Sequence, residues 1–289
     1  RIDAALVGIP ASQTSLSATN AHETPDAIRA ALYRYSPALM QDRGVLDKNL
    51  RNDPAIIDLE ELTVADFGNV SDPDSPAGEA RTIALMADAA KASELVIALG
   101  GDNSITVAAA LGVWGSDLET AGLITLDAHY DLRDGVSNGS PVRRLIEAGM
   151  NPERIVQIGI QDFANSASYA RRAQEFGITV IHRDDLERRS MAEVMAEALS
   201  IAGSAGGPIH VDLDVDVCDR AVAPACPASV PGGISAFELR QAARAAGKHS
   251  QVHSIDLAEI DATMDAPDGR TIRLAALCVL EAVAGLSQR

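Results

Sequence analysis

Apolar residues along this chain come in short runs, separated by longer stretches where they recur every three or four positions. The runs are 4–9 (AALVGI), 62–67, 95–99 (LVIAL), 122–126 (GLITL), 154–160, 178–181, 208–214 (PIHVDLD) and 252–258 (VHSIDLA). Short runs rich in Val, Ile and Leu predict strands buried on both faces. The helical period marks segments near 26–35, 78–93, 104–114, 141–149, 166–176, 190–203, 235–246 and 271–285. Thr24 is expected to cap the first of these, with Pro25 opening the helix. Ser190 and Glu193 have the spacing of a capping box. Strands alternating with helices predict an α/β fold, a parallel sheet with helices on both faces. No repeat, low-complexity tract or linker divides the chain, so residues 1–289 read as one domain. Its long loops are expected at 10–24, 130–141 and 215–235, with a further surface loop at 71–77.

Two strand predictions carry acids where a buried strand should not. Asp127, His129 and Asp131 follow GLITL at i, i+2 and i+4, and Asp212, Asp214 and Asp216 follow PIHV with the same spacing. Residues two apart on a strand share a face, so each segment can aim several hard ligands at one point. Unpaired buried carboxylates are costly, and this many call for cations. Many oxygens with one imidazole suit Mn²⁺ better than Zn²⁺. Both clusters sit at the carboxyl ends of their strands, where parallel sheets place ligands.

Composition narrows the partners. The chain has 289 residues, 24 basic and 41 acidic, with a formal charge of −17. Such a surface repels nucleic acid and anionic membranes. No apolar run reaches the roughly 20 residues of a membrane span. No basic-then-apolar signal opens the chain, and a start at Arg1 hints that upstream residues are missing. Cys218, Cys226 and Cys278 lack CxxC spacing and read as small, buried, reduced thiols in a cytoplasmic protein. His182, His210, His249 and His253 have no motif around them and read as structural or exposed.

Four segments taken together, GGDNS (100–104), DAHYD (127–131), DLDVDVCD (212–219) with its tail APACPASVPGG (223–233), and DLAEID (256–261), resemble the ureohydrolase superfamily of arginases, agmatinases and formimidoylglutamases. SNGSPVRRLIEAG (137–149) and QIGIQDFANSASY (157–169) make the chain most similar to formimidoylglutamases. The resemblance implies a three-layer α/β/α fold around a parallel sheet of about eight strands, and two Mn²⁺ per chain. It implies that Asp127 and Asp214 bridge both metals, that His129 and Asp216 complete one site, and that Asp131 and Asn103 serve the other. Asn103 stands where most relatives have histidine, and its neutral amide oxygen makes that second site weak or water-filled. Two Mn²⁺ carry four positive charges, and Asp127, Asp131, Asp214 and Asp216 supply four negative ones. A metal-bridging hydroxide is the implied nucleophile. Asp212 reads as a hydrogen-bonding support behind the ligands, and Asp219 as a residue that orients its loop.

Glu259 is at the family position that meets the substrate's cationic nitrogen group. LRDGVSNGSPVRR, after DAHYD, offers Arg133, Asn138, Ser140 and Arg143 to the rest of the substrate. Arginine suits carboxylate capture. Formimidoylglutamate carries two carboxylates, arginine one and agmatine none. Arginases have a histidine proton shuttle where Asn138 stands, and an amide cannot exchange a proton near neutral pH. The expectation is therefore Mn²⁺-dependent hydrolysis of N-formimidoyl-L-glutamate to L-glutamate and formamide. Two other readings stand: a guanidino-acid or agmatine-type ureohydrolase releasing urea, and a metal-impaired, non-catalytic relative. Relatives form trimers, hexamers and smaller states, which makes a homo-oligomer an expectation without a readable interface.

Overall fold

Each of the eight apolar runs becomes a strand, and all eight join one parallel sheet. The computed structural model describes residues 2–36, 38–40, 56–58 and 62–289. In chain order the elements are β1 (Ile2–Ile9), α1 (Thr24–Leu32), β2 (Ala38–Met40), β3 (Ile56–Asp58), β4 (Val64–Asn69), α2 (Pro76–Ala92), β5 (Ser93–Gly100) and α3 (Ile105–Trp114). They continue with β6 (Gly122–Leu126), α4 (Pro141–Glu147), β7 (Ile155–Ile160), α5 (Ala167–Phe176), β8 (Thr179–His182) and α6 (Met191–Ala202). The last are β9 (Ile209–Asp214), α7 (Ala236–Lys248), β10 (Val252–Ala258) and α8 (Arg270–Leu286). The sheet order is β4-β1-β5-β10-β9-β6-β7-β8.

Residue parity explains the layers. On β5, Leu95, Ile97 and Leu99 pack with Ile28 of α1, Val194 of α6, Leu239 of α7 and Val279 of α8. Val96 and Ala98 of the same strand face the other way, onto Met86 and Ala89 of α2 and Ala109 of α3. On the same side of the sheet, Leu123 and Ile155 meet Trp114 of α3, Leu145 of α4 and Ala173 of α5. Two helical layers thus cover both faces, which is why the central strands read as unbroken apolar runs. The outer strands β4 and β8 are the less buried ones.

Local signals hold in part. Ser190 accepts from Glu193 N while the Glu193 carboxylate bonds back, the predicted capping box. Ser235 and Glu238 form a second one on α7. Thr24 is not the cap of α1. Glu23 occupies that position, Thr24 is the first helical residue, and its buried hydroxyl donates to Ile260 O at 2.6 Å. Thr24 already has helical backbone, where a capping residue is typically extended, and its hydroxyl anchors α1 to the segment after β10, also accepting from Ala262 N at 3.3 Å. The loop placed at 71–77 ends at Ser75, which accepts from Gly78 N and caps α2. The antiparallel pair β2–β3 was not anticipated; three-residue strands leave almost no periodic signal.

The consequence for function is one of placement. GGDNS, DLAEID, DLDVD and DAHYD lie at the carboxyl ends of β5, β10, β9 and β6, four strands that are consecutive across the sheet. All four segments therefore emerge side by side at one carboxyl edge.

Candidate metal centre

Asp127 begins where β6 ends, and Asp214 ends β9 on the adjacent strand. Asp127, His129 and Asp216 bring one ligand atom each within 4.8 Å of one another, and so do Asp127, Asp131 and Asp214. Asp127 is common to both groups. All four aspartates are buried. The backbone holds them in place. Asp127 Oδ1 accepts from His129 N at 2.6 Å, Asp214 Oδ1 from Asp216 N at 2.9 Å, and Asp216 Oδ1 from Ala128 N at 3.2 Å. Asp131 and Glu259 have φ of 52° and 63°. Non-glycine residues rarely adopt left-handed backbone, and such strain concentrates at functional sites.

Charge is poorly balanced in this cluster. Burial, then the neighbouring carboxylates, raises Asp131 and Asp214 well above the usual carboxylate range. Burial and Asp216 push Asp127 up to about 6. Burial works against a charged His129, yet Asp216 and Asp127 around it push the imidazole up to about 12, and its Nδ1 is 2.9 Å from Asp216 Oδ2. Asp216 itself is lowered, because that imidazolium outweighs its burial. Asp127 Oδ2 is buried without a hydrogen-bond partner among the described residues. Acceptor oxygens in excess, two converging groups and one orphaned carboxylate oxygen fit a pair of hard divalent cations.

Above this floor is a cavity of about 380 Å³. His129, Asp131, Asp214, Asp216 and Glu259 line its deep end. Glu259 follows β10, and its Oε1 accepts from Asn103 N and from Asn138 Nδ2, each at 2.7 Å. Burial, then Asp102 nearby, pushes Glu259 up to about 8 despite those two donors.

The remaining predicted residues divide. Arg133 and Asn138 line the cavity. Ser140 does not. It is buried, and its hydroxyl donates to Ser137 O and accepts from Ser137 N, closing a turn. Arg143 does not either. Its guanidinium donates to Arg133 O and Gly135 O and pairs with Glu147, which fixes the loop from outside. Asn103 is fully buried, but its amide nitrogen donates to Asp131 Oδ2 at 2.6 Å, and its oxygen accepts from Thr106 Oγ1 at 3.0 Å. It supports a carboxylate of the cluster in this geometry. Asp212 is fully buried with neither carboxylate oxygen partnered among the described residues. His210 bonds Ser254 and Asp256 inside the sheet, a structural role. All three cysteines are buried and free.

Several wall residues had no signal. Leu16 and Ser17 come from the loop after β1, which carries no motif. Asn165 both accepts from Tyr130 N and donates to Ala128 O, clamping the DAHYD backbone. Tyr169, on α5, faces Arg133. Asn165 and Tyr169 belong to a segment whose likeness was visible but whose individual roles were not.

Residues 2–285 match the arginase family. The chain belongs to that family. It is 34% identical to the formimidoylglutamase of Halalkalibacterium halodurans over 99% of this chain and 88% of that one. Its fold superposes on the crystal structure of Bacillus subtilis formimidoylglutamase with a TM-score of 0.84 at 27% identity, covering 99% and 87% of the two chains. The structure of Trypanosoma cruzi formiminoglutamase with Mn²⁺ also gives a TM-score of 0.84, at 22% identity, covering 100% and 94%, and supports the fold alone.

Proposed function

We propose that this chain hydrolyses N-formimidoyl-L-glutamate to L-glutamate and formamide, with two Mn²⁺ held by Asp127, His129, Asp131, Asp214 and Asp216. The observation that carries the substrate reading is the outer wall of the cavity. Beyond the acidic floor and Glu259 its lining includes Leu16, Leu132, Arg133, Asn138, Ala164 and Tyr169, with no carboxylate and a single guanidinium among the described residues. Arginine would bring an α-ammonium group to a wall with nothing to pair it. Agmatine would bring its terminal ammonium to the same wall and offer Arg133 no carboxylate. Formimidoylglutamate has its amine tied up in the formamidine and presents carboxylates to Arg133.

When bound, the metal pair supplies Lewis-acid activation of water. The chain's own residues do the rest. Glu259 faces the formamidinium, held by Asn103 and Asn138 through one oxygen. A bound cation favours the ionised form of Glu259. As the amidine carbon becomes tetrahedral, the ionised Glu259 holds the amidine nitrogen it faces, while the protons shed by the attacking water pass to the departing amine nitrogen. Asn138 has no proton to give near neutral pH and acts by holding Glu259.

The similarity to formimidoylglutamases supports this reading. No helix among the described residues is long and apolar enough to cross a membrane. We take the protein to act on a small molecule as a single cytoplasmic domain. The test is a product assay with Mn²⁺ across formimidoylglutamate, arginine, agmatine and guanidinobutyrate. Formamide and glutamate from the first is the expected result. Urea from any of the others would favour a ureohydrolase, and full metal binding without turnover would favour a non-catalytic relative.

A further inference from the structure

Arg133 is an exposed arginine on a loop, the kind of side chain that samples many rotamers. Here two features restrict it. Its stem lies against Gly139: a Cβ there would come within 2.7 Å of Arg133 Cδ and 3.1 Å of Nε. Arg133 N also donates to Gly139 O at 3.0 Å, which fixes the two residues together. Its guanidinium carbon is 5.6 Å from the centre of the Tyr169 ring. The ring is itself tied down. Arg172, one turn along α5, is 6.0 Å from the same ring and donates to Leu132 O at 2.6 Å and Asp134 Oδ1 at 2.9 Å. Arg172 thus joins α5 to the residue just before Arg133. The nearby arginines are committed, Arg143 to its loop and Arg144 to Glu79, while Arg133 has no carboxylate partner among the described residues.

We propose that Tyr169 is a positioning residue for specificity: its ring holds the Arg133 guanidinium ready in the cavity, and so selects amidines that carry a carboxylate. A guanidinium over an aromatic face keeps its N–H edges free for an anion. Fixing it beforehand removes an ordering cost from substrate binding. The inference rests on the formimidoylglutamate reading.

The test uses the Mn²⁺-loaded enzyme and its Tyr169→Phe, Tyr169→Leu, Arg133→Ala and doubly substituted Arg133→Ala/Tyr169→Leu variants. KM and kcat are measured on N-formimidoyl-L-glutamate, with glutarate as a competitive inhibitor that carries carboxylates and no amidine. Tyr169→Leu is expected to raise both KM and the glutarate inhibition constant about fivefold with kcat little changed, the size of a partly exposed cation–π contact. Tyr169→Phe keeps the ring and should behave as wild type. In the Arg133→Ala background, Tyr169→Leu should add nothing, since the two act as one unit. A fall in kcat at constant KM, an additive double variant, or a Tyr169→Phe as weak as Tyr169→Leu would overturn the proposal. Wild type that ignores formimidoylglutamate but turns over another amidine would instead sink the substrate reading. Glutarate inhibition of that other reaction, unchanged by Tyr169→Leu, would then reject the ring's role separately.

Discussion

Asn138 donates its side-chain amide to Glu259 Oε1 at 2.7 Å, and its own oxygen accepts from Leu16 N at 3.0 Å. One amide therefore joins the carboxylate at the floor of the cavity to the loop that forms part of its rim. That loop touches Asn138 twice more, through Thr14 O and Ser15 Oγ. An asparagine serves here because both ends of its side chain are needed, one donating and one accepting. Asn138→Ala should cost catalysis about tenfold to a hundredfold in kcat/KM, the range of a hydrogen bond to a charged group. Steady-state kinetics decide it, and activity within twofold of wild type would show that the contact does not orient Glu259.

The metal reading predicts opposite effects on activity and stability. Asp127→Asn or Asp214→Asn should abolish Mn²⁺ binding at one or both positions and reduce turnover by orders of magnitude. The same changes should raise the melting temperature of the metal-free protein, because each removes a buried acid crowded by other carboxylates. Metal content, turnover and thermal unfolding in chelator test both halves. Near-wild-type turnover in either variant would sink the shared-ligand arrangement.

Without metal, stability should fall as pH rises through the neutral range. Glu259 moves from 4.5 to about 8 on folding, so between those values the native state keeps a proton that the unfolded chain has released. More protons on the native state means that stability drops with rising pH. His129, raised from 6.5 to about 12, acts in the same direction: its contribution is complete below 6.5 and declines above it. Bound Mn²⁺ competes with these protons and should flatten or reverse the slope. Melting temperatures from pH 5 to 8, with chelator and with Mn²⁺, should diverge as pH rises. Parallel curves would mean that the cation does not bind in this cluster.

The two loop arginines should now separate. Arg133→Ala is expected to raise KM for formimidoylglutamate more than tenfold, roughly 1.4 kcal/mol, at similar kcat. Arg143 holds backbone carbonyls at 133 and 135, so Arg143→Ala should lower kcat and loosen the loop without a selective effect on KM. A KM effect confined to Arg143 would reverse these roles.

How far the sequence reached can be seen in these same residues. The strands and the acids that end them were legible because a buried run with period-two acids has few physical alternatives. Asp127, His129, Asp131, Asp214 and Asp216 do come together, but His129, Asp131 and Asp216 lie past the strand ends, where loop hydrogen bonds and not strand parity bring them round. Arg143 and Ser140 did not face the cavity, because direction on a loop is set by turn hydrogen bonds that leave no periodic trace. Thr24 has the look of a cap but bonds a carbonyl 236 positions away. The wall at Leu16 and Tyr169 was invisible for the same reason: contacts between distant loops are a property of the fold.

Asn103 gives the most discriminating prediction. Its amide nitrogen faces Asp131 and its oxygen is taken by Thr106, so as it stands it steadies a carboxylate. Its backbone nitrogen also holds Glu259, and that contact survives any substitution of the side chain. Asn103→Leu should therefore weaken Mn²⁺ binding by freeing Asp131 while leaving Glu259 in place. Asn103→His would put an imidazole, a better Mn²⁺ ligand than an amide oxygen, beside Asp131. It should lower the Mn²⁺ concentration needed for half-maximal activity, though a metal held more tightly need not turn over faster. Calorimetric titration and activation curves of the three proteins order them: histidine tightest, wild type between, leucine weakest. If leucine binds as well as wild type, the bond to Asp131 has no bearing on the metal. If histidine binds no better, the side chain at 103 cannot reach it.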